Sequence, residues 1–385
     1  MKIDHEEIMR RVAQISPALA RNAAACDEAR QLVAESMQTM IDAGLFRIPA
    51  PARVGGYELP RRTLADAVIR ISQACSSSGW VLMVMGAHHF CLGHFPETAQ
   101  AAVFGGGADG LVAGTLAWQG TATGVDGGYL VEGRWQFCSG VDHADWVMLG
   151  CADPQTRGPL VHVVVPRSQI IVDDTWRVMG LQGTGSKDVV AEGIFVPVEH
   201  SVETRAMMTG GSPYAPKHRT NLYRVAAESM LSLSVATAVL GIARAGLACF
   251  IERTRERRAI PSGAAKAEYV PTQIRLAESG GELQAAELMI RDALDLLDQV
   301  AGGAAIPNIE YRARVKWQAA YSAELCRRAV ERLFAGSGAH GVYSASALQA
   351  LLRNVQVGAQ HASIDFDTAA ESYGKLRLSQ AGKNK

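Results

Sequence analysis

The sequence lacks an excess of charge of either sign, and it contains few aromatic residues. Lysine and arginine together number 38, as do aspartate and glutamate, so the formal net charge of the 385-residue chain is zero. Because nucleic-acid binding depends on clustered positive charge, this balance argues against a nucleic-acid partner. Only 20% of the residues are charged and 48% are hydrophobic, which excludes a disordered chain and allows a large core in two or three domains.

Paired cysteines are also missing. The seven cysteines are scattered, form no CxxC pair and do not stand near histidine at metal-site spacing. We therefore expect reduced thiols, no bound metal and a cytoplasmic location.

A signal peptide and a membrane span are not expected either. The first residues, MKIDHEEIMRR, are charged and do not resemble a signal peptide. The longest uncharged run, residues 71–96, carries several serines and three histidines, so we interpret it as a buried helix. A second run, residues 229–243, has too few residues to span a bilayer.

The hydrophobic period changes twice along the chain. It is helical in residues 1–110, alternates with period two in six segments of residues 111–215, and is helical again in residues 216–385. We therefore predict an α+β fold with an N-terminal helical domain, a central antiparallel β-barrel or sandwich, and a C-terminal four-helix bundle. The bundle helices are predicted at about 222–258, 271–301, 308–335 and 345–376.

Local signals divide the first domain into several helices. We predict that Pro17 breaks or restarts the first helix, that a second helix runs from about 26 to 43, and that a third covers about 63–74. The serines at 76–78 are predicted to cap the next helix.

Two motifs have ordinary structural interpretations. Residues 336–341 read GSGAHG and fit GxGxxG, but a long helix precedes them where a dinucleotide-binding fold needs a strand, so we predict a joint between helices. His88, His89 and His94 share one helix without a carboxylate partner at ligand spacing. They are either satisfied core histidines or line a cavity where one can bind a ligand.

Three segments, in this order of domains, carry a family resemblance: SSSGWVLMVMGAHHF, GGYLVEGRWQFCSGVDHADW and WRVMGLQGTGSKDVV. They resemble the acyl-CoA dehydrogenase superfamily and, within it, the oxygenase components of two-component flavin-dependent monooxygenases. The resemblance implies hydroxylation of a small phenolic or indolic compound through a flavin 4a-hydroperoxide. It also implies O2 and reduced flavin (FMNH2 or FADH2) as cofactors, a separate NAD(P)H:flavin reductase, no metal and a homotetramer.

One departure from the acyl-CoA dehydrogenases favours the monooxygenases. Dehydrogenases of this superfamily usually carry a catalytic Glu about eight residues after an Arg-Asp pair, whereas here Arg353-Asn354 is followed by His361-Ala362. Without a carboxylate to take the α-proton, acyl-CoA dehydrogenation is not expected. His361 instead resembles the C-terminal active-site histidine of the monooxygenases.

The resemblance also implies individual roles. His88 would accept a proton from the substrate, Ser139 would hydrogen-bond nitrogen-5 of the flavin, and His361 would donate to the flavin-bound oxygen or hold it. Substrate binding would involve His88, His89 and Thr115. An arginine at the end of the first bundle helix would reach a flavin across a subunit contact; this residue is Arg257 or, if the alignment shifts by one position, Arg258. The implied cofactor-binding residues are Trp118, Trp135, Phe137, Ser139, Thr184, Ser186, Arg257, Gly336 and Gly338.

Three alternatives stay open at this point. The first is an acyl-CoA dehydrogenase-type enzyme with a relocated base. The second is a relative that oxygenates nitrogen or sulfur, and the third is a flavin-binding module without catalysis. The substrate, and the choice between FMN and FAD, also stay open.

Overall fold

Five helices form the N-terminal part of the computed structural model, which describes residues 3–105, 109–258, 263–304 and 307–381. These helices are α1 (His5–Ala29), α2 (Ala34–Asp42), α3 (Arg61–Ala74), α4 (Ser76–Leu92) and α5 (Glu97–Phe104). The predicted boundary at 110/111 directly follows residues 106–108, which lie outside the described ranges. Both predicted domain boundaries stay predictions.

The local predictions for this region need three corrections. Helix α1 continues through Pro17. Proline has no backbone N–H, so one carbonyl of the preceding turn loses its hydrogen bond, and because Pro17 lies on the exposed side of the helix, water can satisfy that carbonyl. It ends where Arg30 adopts a left-handed conformation, so the predicted helix at 26–43 is the end of α1 followed by α2. Helix α4 is capped by Cys75, whose sulfur accepts the Ser78 amide at 3.4 Å, rather than by the serines.

Seven strands form one sheet with the order β5-β6-β2-β1-β3-β4-β7. They are β1 (Val112–Val125), β2 (Gly128–Cys138), β3 (Trp146–Ala152), β4 (Pro159–Pro166), β5 (Ile171–Asp173), β6 (Lys187–Pro197) and β7 (Ser201–Glu203). A short helix, α6 (Thr204–Thr209), follows the last strand.

The sheet is mixed, which corrects the antiparallel prediction. Among the described strands, five pairings are antiparallel, and β1 pairs with β3 in parallel. Strand β2 runs opposite to β1, and β3 returns to the direction of β1 and lies beside it rather than beside β2. The parallel pairing follows from that placement.

The C-terminal part is helical, as predicted, but its last helix is divided. The helices are α7 (Ala227–Glu256), α8 (Val270–Ala301), α9 (Ile309–Ala335), α10 (Ala347–Gly358) and α11 (Phe366–Ala381). The predicted helix at 345–376 breaks because His361 caps a 3-10 turn and the Asp365 carboxylate accepts the Thr368 amide at 2.9 Å. Gly336–Gly341 joins α9 to the segment before α10, as the motif analysis predicted.

Helix α7 lies within the predicted helix at 222–258 and extends beyond the uncharged run at 229–243 in both directions. Its 30 residues are enough, by length and composition, to cross a membrane, but 67% of its most apolar 18-residue window is buried inside the protein. It packs against α3, α4, α8 and α9. This is the environment of a core helix.

Close packing around α4 depends on glycine. All 17 residues of α4 are buried. A Cβ at Gly79 would overlap Ser72 of α3, and one at Gly241 of α7 would overlap the Ile69 carbonyl and lie 2.6 Å from the Ser72 Cβ. The three helices therefore approach each other as closely as their backbones allow.

We predict that Gly241→Ala destabilises the protein by about 1–3 kcal/mol, because the added methyl group meets backbone that cannot move aside. Gly281→Ala on α8 is the matched control, since nothing lies within 4 Å of its Cβ position. It should stabilise the helix by up to ~1 kcal/mol. Urea unfolding measures both changes, and equal effects of the two substitutions would contradict the packing argument.

Candidate active site

The exposed fraction of the α4 side chains identifies one ridge of this buried helix. Ser76, Trp80 and Val84 retain 6–7% exposure and His88 retains 2%, whereas Val81, Leu82, Met83 and Met85 retain none. The four residues of the ridge are spaced four apart and therefore form a single row along the helix. This row, which we call the α4 ridge, faces the candidate site.

The two adjacent histidines of α4 point in different directions. The Nδ1 of His88 lies 3.0 Å from the Val112 carbonyl of β1. The Nδ1 of His89 lies 2.8 Å from the Phe46 carbonyl, and its ring meets the edge of Phe104 at 5.2 Å. The structure therefore separates the two implied substrate-binding histidines and places His89 in the N-terminal helical core.

The hydrogen bond of His88 determines which ring nitrogen can act. A carbonyl can only accept, so Nδ1 carries the proton, and Nε2 of the neutral ring keeps its lone pair. Among the described residues, the hydrogen bond from Nδ1 to Val112 is the only one that the His88 ring makes, so Nε2 is without a partner. Desolvation by burial lowers the pKa of His88 to about 4, so the ring is neutral near pH 7.

Ser139 lies just beyond the end of β2, where the backbone turns sharply. Phe137 has a φ of 65° and Gly140 a φ of 75°, and the register of β2 against β6 shifts between Trp135 and Cys138. The Ser139 hydroxyl lies 2.6 Å from that of Ser186 and accepts from Trp80 Nε1 at 3.3 Å. This turn therefore directs a buried hydroxyl toward the α4 ridge.

Trp80 links Ser139 to the break between α10 and α11. Its ring lies 5.9 Å from the ring of His361. Gly358 leaves space for it, because a Cβ there would lie 3.1 Å from the Trp80 ring and 3.2 Å from Val239. The sequence alone assigns Trp80 no role, although this residue is part of the SSSGW motif.

His361 presents a donor where His88 presents an acceptor. Its Nδ1 accepts the Ser363 amide at 3.1 Å and lies 2.8 Å from the Ser363 hydroxyl, so the proton of the neutral ring is on Nε2. Protein surrounds most of the half-buried ring, and desolvation lowers its pKa to about 4.

The loop between Leu181 and Ser186 is tied to three helices. The Asp27 carboxylate of α1 accepts the Gly183 amide at 3.0 Å and the Ser77 hydroxyl of α4 at 3.2 Å. The side chain of Asn354 on α10 accepts the Leu181 amide at 2.7 Å. These contacts hold Thr184 and Ser186 beside Ser139, and Asn354 is a further residue to which the sequence analysis gave no such role.

The implied aromatic residues occupy two different environments. Phe137 and Trp118 are 62% and 46% exposed, and Phe137 packs edge-on against Trp176 with centroids 6.1 Å apart. Trp135 is fully buried in the sheet, where its Nε1 donates to the Gly150 carbonyl at 2.6 Å. Phe137 and Trp118 therefore offer an accessible aromatic surface, whereas Trp135 supports the sheet beneath it.

Thr115 is the remaining implied substrate residue. It lies in β1, three residues after Val112, and its hydroxyl accepts the Ala117 amide at 3.3 Å. A register shift of β1 against β3 follows it, between Thr115 and Trp118. Within the described residues, no hydrogen bond joins Thr115 to His88.

A second candidate cofactor region lies at the far end of α7. Arg257 donates to the Ser337 carbonyl, and Arg253, Arg257, Lys266, Gly336 and Gly338 line an open cleft. Val239 of α7 lies beside Gly358, which packs against Trp80, and it therefore marks the Ser139 region on this helix. Arg257 follows Val239 by 18 residues, or roughly 27 Å along the helix. One chain therefore does not bring this basic cleft next to Ser139.

Each of the two regions fits a different part of a flavin. The exposed rings of Trp118 and Phe137 can flank a flat ring system, the Ser139 hydroxyl can bond a ring nitrogen, and the basic cleft can bind phosphate. Within the described ranges, no three His, Cys, Asp or Glu side chains are grouped to hold a metal.

The fold and these features define the class of protein. Residues 3–103 match the family model for the acyl-CoA dehydrogenase N-terminal domain, and residues 233–366 match that for the C-terminal domain. This confirms the predicted acyl-CoA dehydrogenase-like fold.

Three relatives narrow the class. The oxygenase component of the FADH(2)-dependent resorcinol hydroxylase of Rhizobium sp. (strain MTP-10005) is 31% identical over 97% of this chain and 94% of its own. The structure of 3-HSA hydroxylase from Rhodococcus sp. RHA1 aligns with a TM-score of 0.91, 28% identity and 98% coverage of both chains. XiaF from Streptomyces sp., in complex with FADH2 and glycerol, aligns with a TM-score of 0.90 and 25% identity over 97% of this chain and 96% of its own.

The chain belongs to the family of oxygenase components of flavin-dependent monooxygenases. The predicted enzyme class and the reduced-flavin cofactor are confirmed. The position expected for the dehydrogenase base is His361 or Ala362, neither of which is a carboxylate, and the nearest downstream glutamate, Glu371, is exposed and pairs with Lys375 at 2.5 Å.

Burial of neutral histidines predicts how stability depends on pH. Desolvation lowers the pKa of His88 and His162 to about 4 and that of His94 to about 3, against 6.5 for an ordinary histidine. Between these values the unfolded chain binds more protons than the folded chain, so acidification from pH 6.5 toward 4 favours unfolding. Each histidine should contribute a slope of at most about 1.4 kcal/mol per pH unit.

The variant His88→Gln should remove one such contribution from the slope. Its matched control is His340→Gln, which replaces an exposed side chain after α9 and should keep the wild-type slope. Urea unfolding at a series of pH values measures both slopes, and a wild-type stability that does not fall toward pH 4 would contradict the prediction.

Proposed function

We propose that the protein hydroxylates a small phenolic or indolic compound as the oxygenase component of a two-component system in the cytoplasm. A separate NAD(P)H:flavin reductase supplies its reduced flavin. The observation that carries this proposal is the arrangement of Ser139, Trp80 and His361 at one end of the α4 ridge and His88 at the other. Bound reduced flavin activates dioxygen, and the protein binds and orients the flavin and the substrate and excludes water from them.

The length of the α4 ridge fits an aromatic substrate. Trp80 and His88 are eight residues apart, about 12 Å along the helix axis. Val84 lies between them and makes the middle of the row apolar. A ring placed along Val84 has the Ser139 end on one side and His88 on the other.

Each polar residue then has a defined task. The Nε2 lone pair of neutral His88 accepts the proton of the substrate hydroxyl or ring N–H, which makes the aromatic ring more nucleophilic. The Nε2–H of His361 donates a hydrogen bond to oxygen at the Trp80 end. Ser139 holds the flavin ring nitrogen, and Phe137 and Trp118 keep water from the ring.

Ser139 and His88 should fail at different steps. Ser139→Ala opens a gap beside the flavin ring, so more hydrogen peroxide should be released per reduced flavin consumed, even without substrate. His88→Ala should leave that ratio unchanged without substrate but slow hydroxylation by roughly two to four powers of ten. Both effects are measured by rapidly mixing the protein, loaded with reduced flavin, with oxygen and then quantifying hydrogen peroxide and hydroxylated product.

His88→Gln separates proton acceptance from positioning. The glutamine amide oxygen can still accept a hydrogen bond but is a much weaker base than imidazole. Compared with His88→Ala, this variant should therefore bind the substrate more tightly but hydroxylate it no faster. Hydroxylation at the wild-type rate in His88→Ala would remove His88 from the mechanism.

The basic cleft supports an oligomer. Because about 27 Å of α7 separates the cleft from the Ser139 region, we propose that Arg257, Gly336 and Gly338 bind the phosphate end of a flavin held by a neighbouring chain. Two-fold pairing of the helical bundles then makes the homotetramer the proposed assembly.

Arg257→Ala should weaken the binding of reduced FAD by roughly tenfold to a hundredfold, the range for a hydrogen bond to a charged group. Reduced FMN lacks the adenosine monophosphate half of FAD, and with it one of the two phosphates, so its binding should be affected less. Arg258→Ala is the matched control, because Arg258 donates to the Gly263 carbonyl and does not line the cleft. Anaerobic titration measures the affinities, and equal losses in both variants would contradict the assignment of Arg257.

A product screen tests the proposed function as a whole. The protein is supplied with a generic flavin reductase, NADH and a panel of phenols, indoles and steroid-like rings. Hydroxylated product that depends on both proteins supports the proposal. Acyl-CoA-dependent dye reduction, or oxidation of NADH by this chain alone, would contradict it.

A further inference from the structure

Three hydroxyl groups beside Trp80 form a continuous chain of hydrogen bonds, which we call the hydroxyl chain. Ser139 Oγ lies 2.6 Å from Ser186 Oγ, which lies 2.7 Å from Thr184 Oγ1. Trp80 Nε1 donates to Ser139 at 3.3 Å, and Thr184 donates to the Leu181 carbonyl at 2.8 Å. All three hydroxyl residues are at most 4% exposed, so bulk water does not compete for these bonds.

The two ends determine the direction of every proton in the chain. The Thr184 hydroxyl has one proton, which the Leu181 carbonyl receives, so Thr184 must accept from Ser186. Ser186 has then used its only proton and must accept from Ser139. Ser139 therefore gives its proton to Ser186 and receives one from Trp80, because an indole N–H can only donate.

This order leaves Ser139 with one lone pair and no proton for any other group. For Ser139 to donate elsewhere, its bond to Ser186 must break, or the chain must reverse and Leu181 must lose its bond from Thr184. Either change gives up a hydrogen bond inside the protein. Toward a bound ligand, Ser139 is consequently an acceptor.

We infer that the hydroxyl chain selects the oxidation state of the flavin, with Ser186 and Thr184 as positioning residues that act through Ser139. This inference rests on the proposed function, which places Ser139 beside nitrogen-5 of the flavin. That nitrogen carries a hydrogen in the reduced ring and only a lone pair in the oxidised ring. An acceptor at Ser139 therefore complements the reduced ring and opposes the lone pair of the oxidised ring.

Two substitutions release the Ser139 proton without changing Ser139. Ser186→Ala removes the group that accepts it. Thr184→Val is nearly isosteric and leaves Ser186 without its acceptor, so Ser186 turns its proton toward Ser139, which can then donate. Both variants should bind oxidised flavin better relative to reduced flavin than the wild type does.

The measurement is the ratio of the dissociation constants of oxidised and reduced flavin, determined under anaerobic conditions for both FAD and FMN. This ratio should fall by roughly two- to tenfold in each variant, as expected for one hydrogen bond. A tenfold fall lowers the midpoint potential of the bound flavin by about 30 mV, which reductive titration detects. Ser78→Ala is the matched control, since this buried hydroxyl of α4 has no partner within the described residues.

The outcomes separate this inference from the proposed function. An unchanged ratio in both variants, or an equal change in Ser78→Ala, would overturn the inference while leaving a functional monooxygenase. Wild-type protein that binds both oxidation states equally would also overturn it. If the wild type binds neither form, the proposed function fails and the inference fails with it.

Discussion

The burial of all 17 residues of α4 removes its side chains from bulk water, and much of the surrounding structure follows from this constraint. Its histidines bond to carbonyls of other segments, His88 to Val112 and His89 to Phe46. Its neighbours approach at glycine positions such as Gly241 on α7. A helix that is apolar all round has no solvent face to set its rotation, so these directed contacts orient it.

Burial also gives the two implied active-site histidines opposite hydrogen-bonding character. Desolvation keeps both rings neutral, and a neutral imidazole has one donor and one acceptor nitrogen. A carbonyl bonded to His88 leaves a lone pair at its Nε2, whereas an amide bonded to His361 leaves a proton there. The backbone partner of each ring therefore determines its chemistry, and neither role requires a charged side chain in the cavity.

The sequence predicts the order of the secondary-structure elements better than it predicts their arrangement in space or their exact ends. Hydrophobic period predicts the order of helices, strands and helices because each period reflects a buried face. It does not predict that β3 lies beside β1, since strand order is a long-range property. It also misses the break near His361, because local caps at His361 and Asp365 interrupt an otherwise helical pattern.

The candidate site shows the same division. His88, Ser139 and His361 stand in recognisable motifs, but the place of Trp80 between Ser139 and His361 depends on the packing of α4 against α10. Adjacent residues such as His88 and His89 are indistinguishable in the sequence. They separate in the structure because successive helical residues point about 100° apart.

Val84 occupies a distinctive place on the α4 ridge, between residues that make directed hydrogen bonds. Its side chain contributes volume and no hydrogen bond, so its replacement changes the space along the ridge without disturbing Trp80 or His88. Under the proposed function, the reaction machinery and the size of the accepted ring would be carried by different residues of one helix. Members of such a family can diverge in substrate range through this position while the chemistry at both ends is inherited unchanged.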